Sequence, residues 1–154
     1  MIVRKVRRTA PRPPELQVEL YACPVRASLG VLGRKWTLLV LRNIGLYRQR
    51  RFGDMLKITT GLSRRMLSKR LRELKNDGFI ESRATKGGAR RWFLTEKGRD
   101  VLPVLLALVY FGAKWSPERL FADGRPRGLY EVLQPSYVRG VLQTLTGVPK
   151  HDAK

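Results

Sequence analysis

Side chains able to contact a polyanion are concentrated on one predicted helix, between residues 63 and 78. Leu67, Leu71 and Leu74 recur at intervals that place them on one face of an α-helix. The opposite side carries basic and polar side chains, since successive residues are about 100° apart. Those predicted to face a binding partner are Arg64, Arg65, Ser68, Lys69, Arg72 and Lys75. Because arginine can make two hydrogen bonds to guanine in the major groove, the pattern predicts a DNA-reading helix.

Position along the helix separates the expected roles of these side chains. The four nearest the N-terminus are predicted to contact base edges, whereas Arg72 and Lys75 are predicted to contact phosphates. The alternative for each is a cation that faces only solvent. Arg70 lies nearer the side of the helix, and we expect it to pair within the protein.

A hairpin with a basic tip is predicted directly after this helix. Residues 79–84 and 91–94 are apolar-tending runs on either side of Gly87 and Gly88. Cations near such a turn can enter a narrow minor groove, whose potential attracts them. Those flanking the turn are Lys86, Arg90 and Arg91. A further basic group upstream is predicted to clamp phosphates and consists of Arg48, Arg50 and Arg51.

The elements that must position these side chains follow from local signals. Ser63 is a favourable N-cap and Gly78 a favourable C-terminal stop for the basic helix. Residues 52–58 are apolar enough for two helical turns, and Gly61 allows a tight turn after them. A short helix, a turn, a basic helix and a hairpin together predict a winged helix-turn-helix.

Helices are also predicted on both sides of this unit. Upstream, residues 25–32 and 36–44 have helical spacing and are followed by glycine. Downstream, Thr95 is predicted to cap a helix, and residues 101–115 are apolar around most of the circumference. Pro103 either kinks that helix or marks its start. A short helix is expected at 117–121, and one or two more between 129 and 145, interrupted by Pro135.

The apolar helix at 101–115 is predicted to form a dimer interface, because a small winged-helix core has little room for it. The alternative is a central core helix. The predicted interface residues are Leu102, Leu105, Leu106, Val109, Tyr110 and Trp115.

The expected fold is mainly α with a small β-hairpin wing, dimeric through its terminal helices. Residues 1–14 are predicted to be a flexible basic arm, 15–115 the winged helix-turn-helix domain, and 116–154 a helical extension and tail.

Composition supports a polyanionic partner. The chain has 154 residues and a formal net charge of +20, which favours DNA, RNA or an anionic membrane surface. No apolar run has the length of a membrane span, and the basic N-terminus lacks the apolar segment of a signal peptide. With a single cysteine, no intramolecular disulfide can form. We therefore expect a cytoplasmic protein without a membrane partner.

An enzyme is not supported by the residues present. The one histidine, His151, lies in the C-terminal tail, so no histidine-dependent catalytic pair is expected in the core. Neither a metal-ligand cluster nor a phosphate-binding loop is present in the sequence, and no cofactor is expected. Trp36, Trp92 and Trp115 could stack on bases, but their apolar surroundings favour packing in the core or an interface.

Four segments together resemble the HxlR-type family of winged helix-turn-helix transcriptional regulators, which is related to the MarR group. They are CPVRASLGVLGRKWTLLVL, RFGDMLKI, GLSRRMLSKRLRELKNDGFI and FLTEKG, and the resemblance runs from residue 23 to about 115. It implies a homodimer on operator DNA, mostly repressing and sometimes activating. The hairpin departs from the family in ending Arg-Trp-Phe, where Glu-Tyr is more frequent. The resemblance does not extend to residues 116–154.

The resemblance also draws attention to Cys23. Several family members sense oxidants or electrophiles through a cysteine at the matching Cys-Pro position, and Arg26 nearby would favour the thiolate. The alternative, which we favour from the residues alone, is a small buried hydrophobic side chain under the dimer helix.

The sequence as a whole predicts a regulator, more often a repressor, that binds double-stranded DNA specifically as a homodimer on a pseudo-palindromic site. Its two reading helices would then lie about one helical turn, ~34 Å, apart. A small-molecule effector cannot be named from the sequence. The alternative is a non-specific architectural DNA- or RNA-binding winged-helix protein. For residues 116–154 a protein-interaction role also stays open.

Overall fold

A computed structural model describes residues 22–146. The predicted basic arm at 1–14, residues 15–21 and the tail from 147, with His151, lie outside the described residues. The chain divides into two units, Met1–Arg34 and Lys35–Lys154. Each is described by itself.

The described part of the first unit contains one helix, α1 (Pro24–Leu32). Pro24 occupies its first turn, where the missing N–H of proline costs no helical hydrogen bond. The backbone N–H of Gly33 donates to the carbonyl oxygen of Leu29 at 2.9 Å and ends the helix. The predicted short helix and its glycine stop are confirmed.

The second unit begins with three helices, α2 (Thr37–Gly45), α3 (Phe52–Lys57) and α4 (Arg64–Asn76). Gly61, in the turn between α3 and α4, has a φ of +81°, a conformation that glycine adopts without a steric penalty. Packed beneath these helices are Val40, Leu41, Met55, Leu67, Leu71 and Leu74. The predicted helix-turn-helix is confirmed, and its basic helix rests on the leucines that the spacing identified.

A two-stranded antiparallel hairpin follows, formed by β1 (Ile80–Ala84) and β2 (Arg90–Leu94). Ile80 pairs with Leu94 and Ala84 with Arg90. Gly88 in the connecting turn has a φ of +75°, which explains a glycine there. The predicted wing is therefore present, and β2 starts one residue earlier than predicted.

The helix predicted to start after Thr95 and to continue through the apolar residues 101–115 is two helices in the structure, α5 (Glu96–Arg99) and α6 (Leu102–Trp115). The Thr95 hydroxyl oxygen caps α5 by accepting from the backbone N–H of Gly98 at 3.1 Å. Pro103 lies in the first turn of α6, so of the two alternatives it marks the start of the helix rather than a kink.

The C-terminal extension forms α7 (Pro117–Leu120), α8 (Leu129–Val132) and α9 (Pro135–Gln143), followed by a 3₁₀ turn (Thr144–Thr146). Pro135 begins α9. Leu106 of α6 packs with Val138 and Val141 of α9 in a buried cluster. Partly buried side chains around this cluster are Leu46, Leu102, Leu129, Leu133 and Tyr137. The extension therefore covers one face of α6.

Of the helices described, none is long and apolar enough to cross a lipid bilayer.

Candidate nucleic-acid interface

The exposed face of α4 carries every basic residue that the sequence predicted there. Its buried face consists of Leu67, Leu71 and Leu74. The exposed side chains are Arg64, Arg65, Ser68, Lys69, Arg72 and Lys75. Five cations and one hydroxyl thus form a continuous surface along a single helix.

Both ends of α4 are fixed by specific contacts. The Ser63 hydroxyl oxygen accepts from the backbone N–H of Met66 at 3.2 Å, as an N-cap does. Gly78 follows the helix with a φ of +77°. The Lys97 ammonium donates to the backbone carbonyl of Asp77 at 2.7 Å, which places a cation at the negative end of the helix dipole. The first contact fixes the start of α4, and the Lys97 contact joins its C-terminal end to the segment Glu96–Arg99.

Arg70 does not belong to this face. Its side chain is buried, and its guanidinium donates to the carboxylate of Glu73 one turn along the helix. The prediction that it pairs within the protein is confirmed. Because Arg70 and Glu73 neutralise one another, the exposed face keeps its positive charge.

The hairpin presents cations near its turn. Lys86 and Arg90 are exposed, whereas Arg91 is half-buried beside the strand pair.

Trp92 is buried, so its ring packs in the core and is not available to stack on a base. Trp36 is half-buried, but Trp115 is largely exposed on α6.

The segment ahead of α3 is joined to the hairpin. The backbone N–H of Trp92 donates to the carbonyl oxygen of Arg50 at 2.9 Å. The Arg50 guanidinium lies 4.5 Å from the centre of the Phe93 ring, and that of Arg83 lies 4.9 Å from it. Such cation–π contacts restrict the arginine side chains while leaving their N–H groups able to donate.

This junction creates a basic groove of about 450 Å³. Its lining residues are Arg48, Gln49, Arg50, Arg51, Asp54 and Arg91. Four guanidinium groups therefore face one carboxylate. All four arginines were predicted to contact DNA, but Arg91 was expected near the hairpin turn and the other three on a separate segment upstream. The hydrogen bond between Trp92 and Arg50 that brings them together joins distant parts of the chain.

Arg48 has an unusual backbone. Its φ is +52°, in the left-handed region that non-glycine residues seldom adopt. Strained residues of this kind cluster at binding sites, where surrounding structure holds them in place. Arg48 lines the basic groove, so its strained backbone is part of the candidate site.

The predicted dimer residues are divided between two faces of α6, which requires a correction. Leu105 and Leu106 are buried within the chain, and Leu102 and Val109 are partly buried. Of the predicted set only Tyr110 and Trp115 are exposed. For Leu102 and Leu106 the reason is that residues of the C-terminal extension pack against them.

The exposed apolar face of α6 lies on its opposite side. Val104, Leu108, Phe111 and Trp115 are 43%, 49%, 63% and 64% exposed. Their spacing of four, three and four residues forms one stripe along the helix. Tyr110 is also exposed, at another position around the helix.

Cys23 is exposed at the start of α1. Burial of Cys23 under the helix of a dimer stays a prediction. Within residues 22–146, no three side chains of the metal-ligating types are grouped closely enough to hold an ion.

The chain is similar to a known protein family, to relatives in sequence and to solved structures. The model of the HxlR-like helix-turn-helix family matches residues 31–120. An HTH-type transcriptional regulator from Synechocystis is 35% identical over 97 residues, which are 62% of this chain and 71% of the relative. The crystal structure of the transcription factor PA1607 is similar over 70% of this chain and 72% of its own, with 30% identity and a TM-score of 0.57.

A further solved structure, the oxidised form of the redox regulator HypR, is similar over 58% of this chain and 94% of its own. The sequence identity is 30% and the TM-score 0.51. The family match begins at the last two residues of α1, runs to the end of α7 and includes α4, the hairpin and the exposed stripe of α6. Residues 121–146, with α8 and α9, lie outside it.

Proposed function

Because the chain belongs to the HxlR-like helix-turn-helix family of transcriptional regulators, we propose that it binds a specific double-stranded operator as a homodimer. Family and relatives are regulators of transcription, and the protein is not an enzyme. The single observation that carries the proposal is the exposed basic face of α4, fixed at both ends and backed by a leucine core.

Sequence specificity is assigned to the N-terminal half of α4. In a helix-turn-helix the second helix enters the major groove with its N-terminal residues toward the base edges. Arg64, Arg65, Ser68 and Lys69 occupy that half and are exposed. A bidentate arginine–guanine pair is worth about 1–3 kcal/mol of discrimination against the wrong base.

Affinity is assigned to phosphate contacts around this helix. Arg72 and Lys75 continue the exposed face of α4, and Lys86 and Arg90 extend it on the hairpin. The basic groove, with Arg50, Arg51 and Arg91, adds a further cationic surface. If the dimer neutralises six or more phosphates, its affinity falls about 10³-fold or more between 50 and 200 mM salt.

The dimer contact is assigned to the exposed stripe of α6. An apolar row of Val104, Leu108, Phe111 and Trp115 facing water is unfavourable for a monomer. Packing against the same stripe of a second copy is an isologous contact, which closes after two chains. Operator binding by such a dimer represses transcription when the site overlaps a promoter, which is the expected mode for this chain.

Redox control through Cys23 is a finer part of the proposal. Its thiol is exposed, and the structurally similar HypR is a redox regulator. Treatment with diamide, an oxidant of thiols, is expected to change operator affinity in the wild type and to leave Cys23→Ser unaffected. Equal responses of the two proteins to diamide contradict sensing at this residue.

Competition distinguishes the proposed regulator from a non-specific architectural or RNA-binding protein. A specific complex with a selected duplex is expected to persist in excess random duplex and in excess RNA. Loss of the complex to either competitor at matched phosphate concentration favours the architectural alternative. The Arg65→Gln variant provides the internal control, because it should lose preference for the selected duplex while keeping most of its affinity for random DNA.

A further inference from the structure

A buried polar pair lies within the apolar core of the helix-turn-helix. Asn43 of α2 and Thr59, which follows α3, are 0% and 4% exposed. The side-chain amide nitrogen of Asn43 donates to the hydroxyl oxygen of Thr59 at 2.8 Å. The two residues are 16 positions apart, so this bond joins α2 to the turn that leads into α4. Burial of both groups is unfavourable without the bond, because each group loses its hydrogen bonds to water.

A neighbouring guanidinium fixes the orientation of the Asn43 amide. Arg42 donates from Nε and from one terminal nitrogen to Oδ1 of Asn43, at 3.2 and 2.9 Å. Because a guanidinium has donors only, the amide oxygen must face Arg42 and the amide nitrogen must face Thr59. The Arg42 guanidinium also lies 4.6 Å from the centre of the Tyr47 ring. The amide is therefore held at both ends, in a single orientation.

The backbone of the same residue contacts the basic segment. The carbonyl oxygen of Asn43 accepts from the backbone N–H of Gln49 at 2.8 Å. Gln49 lies between Arg48, which has the strained backbone, and Arg50, and all three line the basic groove. Asn43 thus binds the segment that supplies groove arginines through its backbone, and the turn before α4 through its side chain.

The turn that Asn43 contacts leads directly into the start of α4. The backbone N–H of Leu62 donates to the carbonyl oxygen of Thr59 at 3.2 Å, immediately before the N-cap Ser63. A shift of Thr59 therefore moves the first turn of α4, whose exposed side chains we assign to base reading. Base readout requires donors placed to within about 0.5 Å, whereas attraction between cations and phosphates tolerates larger displacements.

We propose that Asn43 is a positioning residue for sequence readout, and that its side chain holds the turn before α4 in one position relative to the basic segment. Apolar residues of similar shape could fill the same space, and replacing both partners of a buried pair in this way costs little stability. A hydrogen bond is directional and apolar contact is not, so the polar pair selects one position of the turn. The effect on readout rests on the proposed function, whereas the ordering of the turn does not.

Replacement of both partners separates positioning from stability. In the double variant Asn43→Leu/Thr59→Val the pair becomes apolar, so the urea midpoint of unfolding should stay close to that of the wild type. In the free protein the Leu62 amide hydrogen should nevertheless exchange with solvent about ten-fold or more faster, because the turn opens locally. The Gln49 amide is the internal reference. It should keep its rate, since its acceptor is the backbone oxygen that both substitutions leave in place.

Duplex binding by the same double variant tests the effect on readout. The preference for a selected over a random duplex should fall about ten-fold or more, as when one bidentate base contact is lost. Affinity for random duplex should stay unchanged, because the groove arginines are retained. Thr59→Ser keeps the hydroxyl that accepts from Asn43 and should keep the wild-type preference.

Thr37→Val is the matched control. The Thr37 hydroxyl is also buried in this core, but within residues 22–146 it has no hydrogen-bond partner. Its removal should change neither the exchange rate of the Leu62 amide nor the duplex preference.

Three results overturn the proposal. An unchanged Leu62 exchange rate in the double variant contradicts the ordering of the turn. An undiminished duplex preference, even with weaker binding to both duplexes, contradicts the effect on readout. If the double variant does not fold, Thr59→Val and Thr59→Ser are compared in the same assays, and equal preference in these two also overturns it. If the wild type itself prefers no duplex sequence, the proposed function fails, and Leu62 exchange alone then decides the role of Asn43.

Discussion

The backbone N–H of Trp92 donates to the carbonyl oxygen of Arg50 at 2.9 Å, which fixes the segment ahead of α3 against the second strand of the hairpin. The side chains on either side of this bond differ in environment. The Trp92 ring is buried, whereas Arg50 is exposed and lies over Phe93. Through this one contact the hydrophobic core sets the position of the arginines that we assign to phosphate binding.

Two cations on α4 should respond differently to neutralisation. Arg65→Gln is expected to cost about 1–3 kcal/mol of binding to a selected duplex and to relax sequence preference at one base pair. Lys75→Gln should weaken binding to all duplexes alike and lower the salt-dependence slope by about 1. Fluorescence anisotropy over a salt series, with selected and random duplexes, measures both effects. Identical profiles for the two variants would contradict the division into base and phosphate contacts.

A charge in the exposed stripe of α6 should break the dimer. Phe111→Glu places a carboxylate at the centre of an apolar contact, where it would be desolvated without a partner. Sedimentation velocity at micromolar concentration is expected to show a monomer for this variant and a dimer for the wild type. Tyr130→Glu, on an exposed aromatic side chain of α8, is the matched control and should stay dimeric. A wild-type monomer under these conditions would contradict the assignment of the stripe.

The contact between α6 and the C-terminal extension should contribute to stability. Leu106 is buried against Val138 and Val141, so Leu106→Ala is expected to lower the free energy of unfolding by about 2–5 kcal/mol. Leu145→Ala, at a largely exposed position, should change it by less than about 0.5 kcal/mol. Urea denaturation at one fixed protein concentration provides the measurement, because dimerisation makes apparent stability concentration-dependent. Similar losses in both variants would show that α9 is not packed on α6.

Gly98 should not accept a side chain. A Cβ atom there would lie 2.0 Å from the carbonyl oxygen of Phe79, so Gly98→Ala must displace backbone between α5 and the hairpin. The expected result is a loss of more than about 1 kcal/mol of unfolding free energy, by the same denaturation assay. Gly140→Ala in α9 meets no atom within 4 Å and should stabilise by about 0.5–1 kcal/mol. Stabilisation by both changes would contradict the close approach at Gly98.

The sequence was sufficient for features encoded by local chemistry. Ser63 and Thr95 cap the helices that they were expected to cap, and Gly61 and Gly78 have the positive φ that a turn and a helix end require. The leucine spacing identified the buried side of α4, because the leucines and the basic residues lie on separate sides of that helix.

The side of α6 that faces the core was not predicted. Its residues are apolar around most of the circumference, so the pattern contains no signal for which face is buried. The face that contains Leu106 is buried because α9, which lies outside the matched domain, packs on it. In the same way, Arg91 joins the basic groove through a long-range hydrogen bond of its neighbour Trp92. Both contacts join residues that are far apart in the sequence, so the local pattern around α6 or around Arg91 does not predict them.

Selection of binding sites from a pool of random duplexes, followed by sequencing, tests the central claim most directly. A homodimer reading DNA through α4 predicts enrichment of an inverted repeat whose half-sites are centred about one helical turn, ~34 Å, apart. Selection with Arg65→Gln should yield the same spacing with a base preference lost symmetrically in both half-sites. An absence of any enriched sequence with the wild type, despite duplex binding, would contradict a sequence-specific regulator.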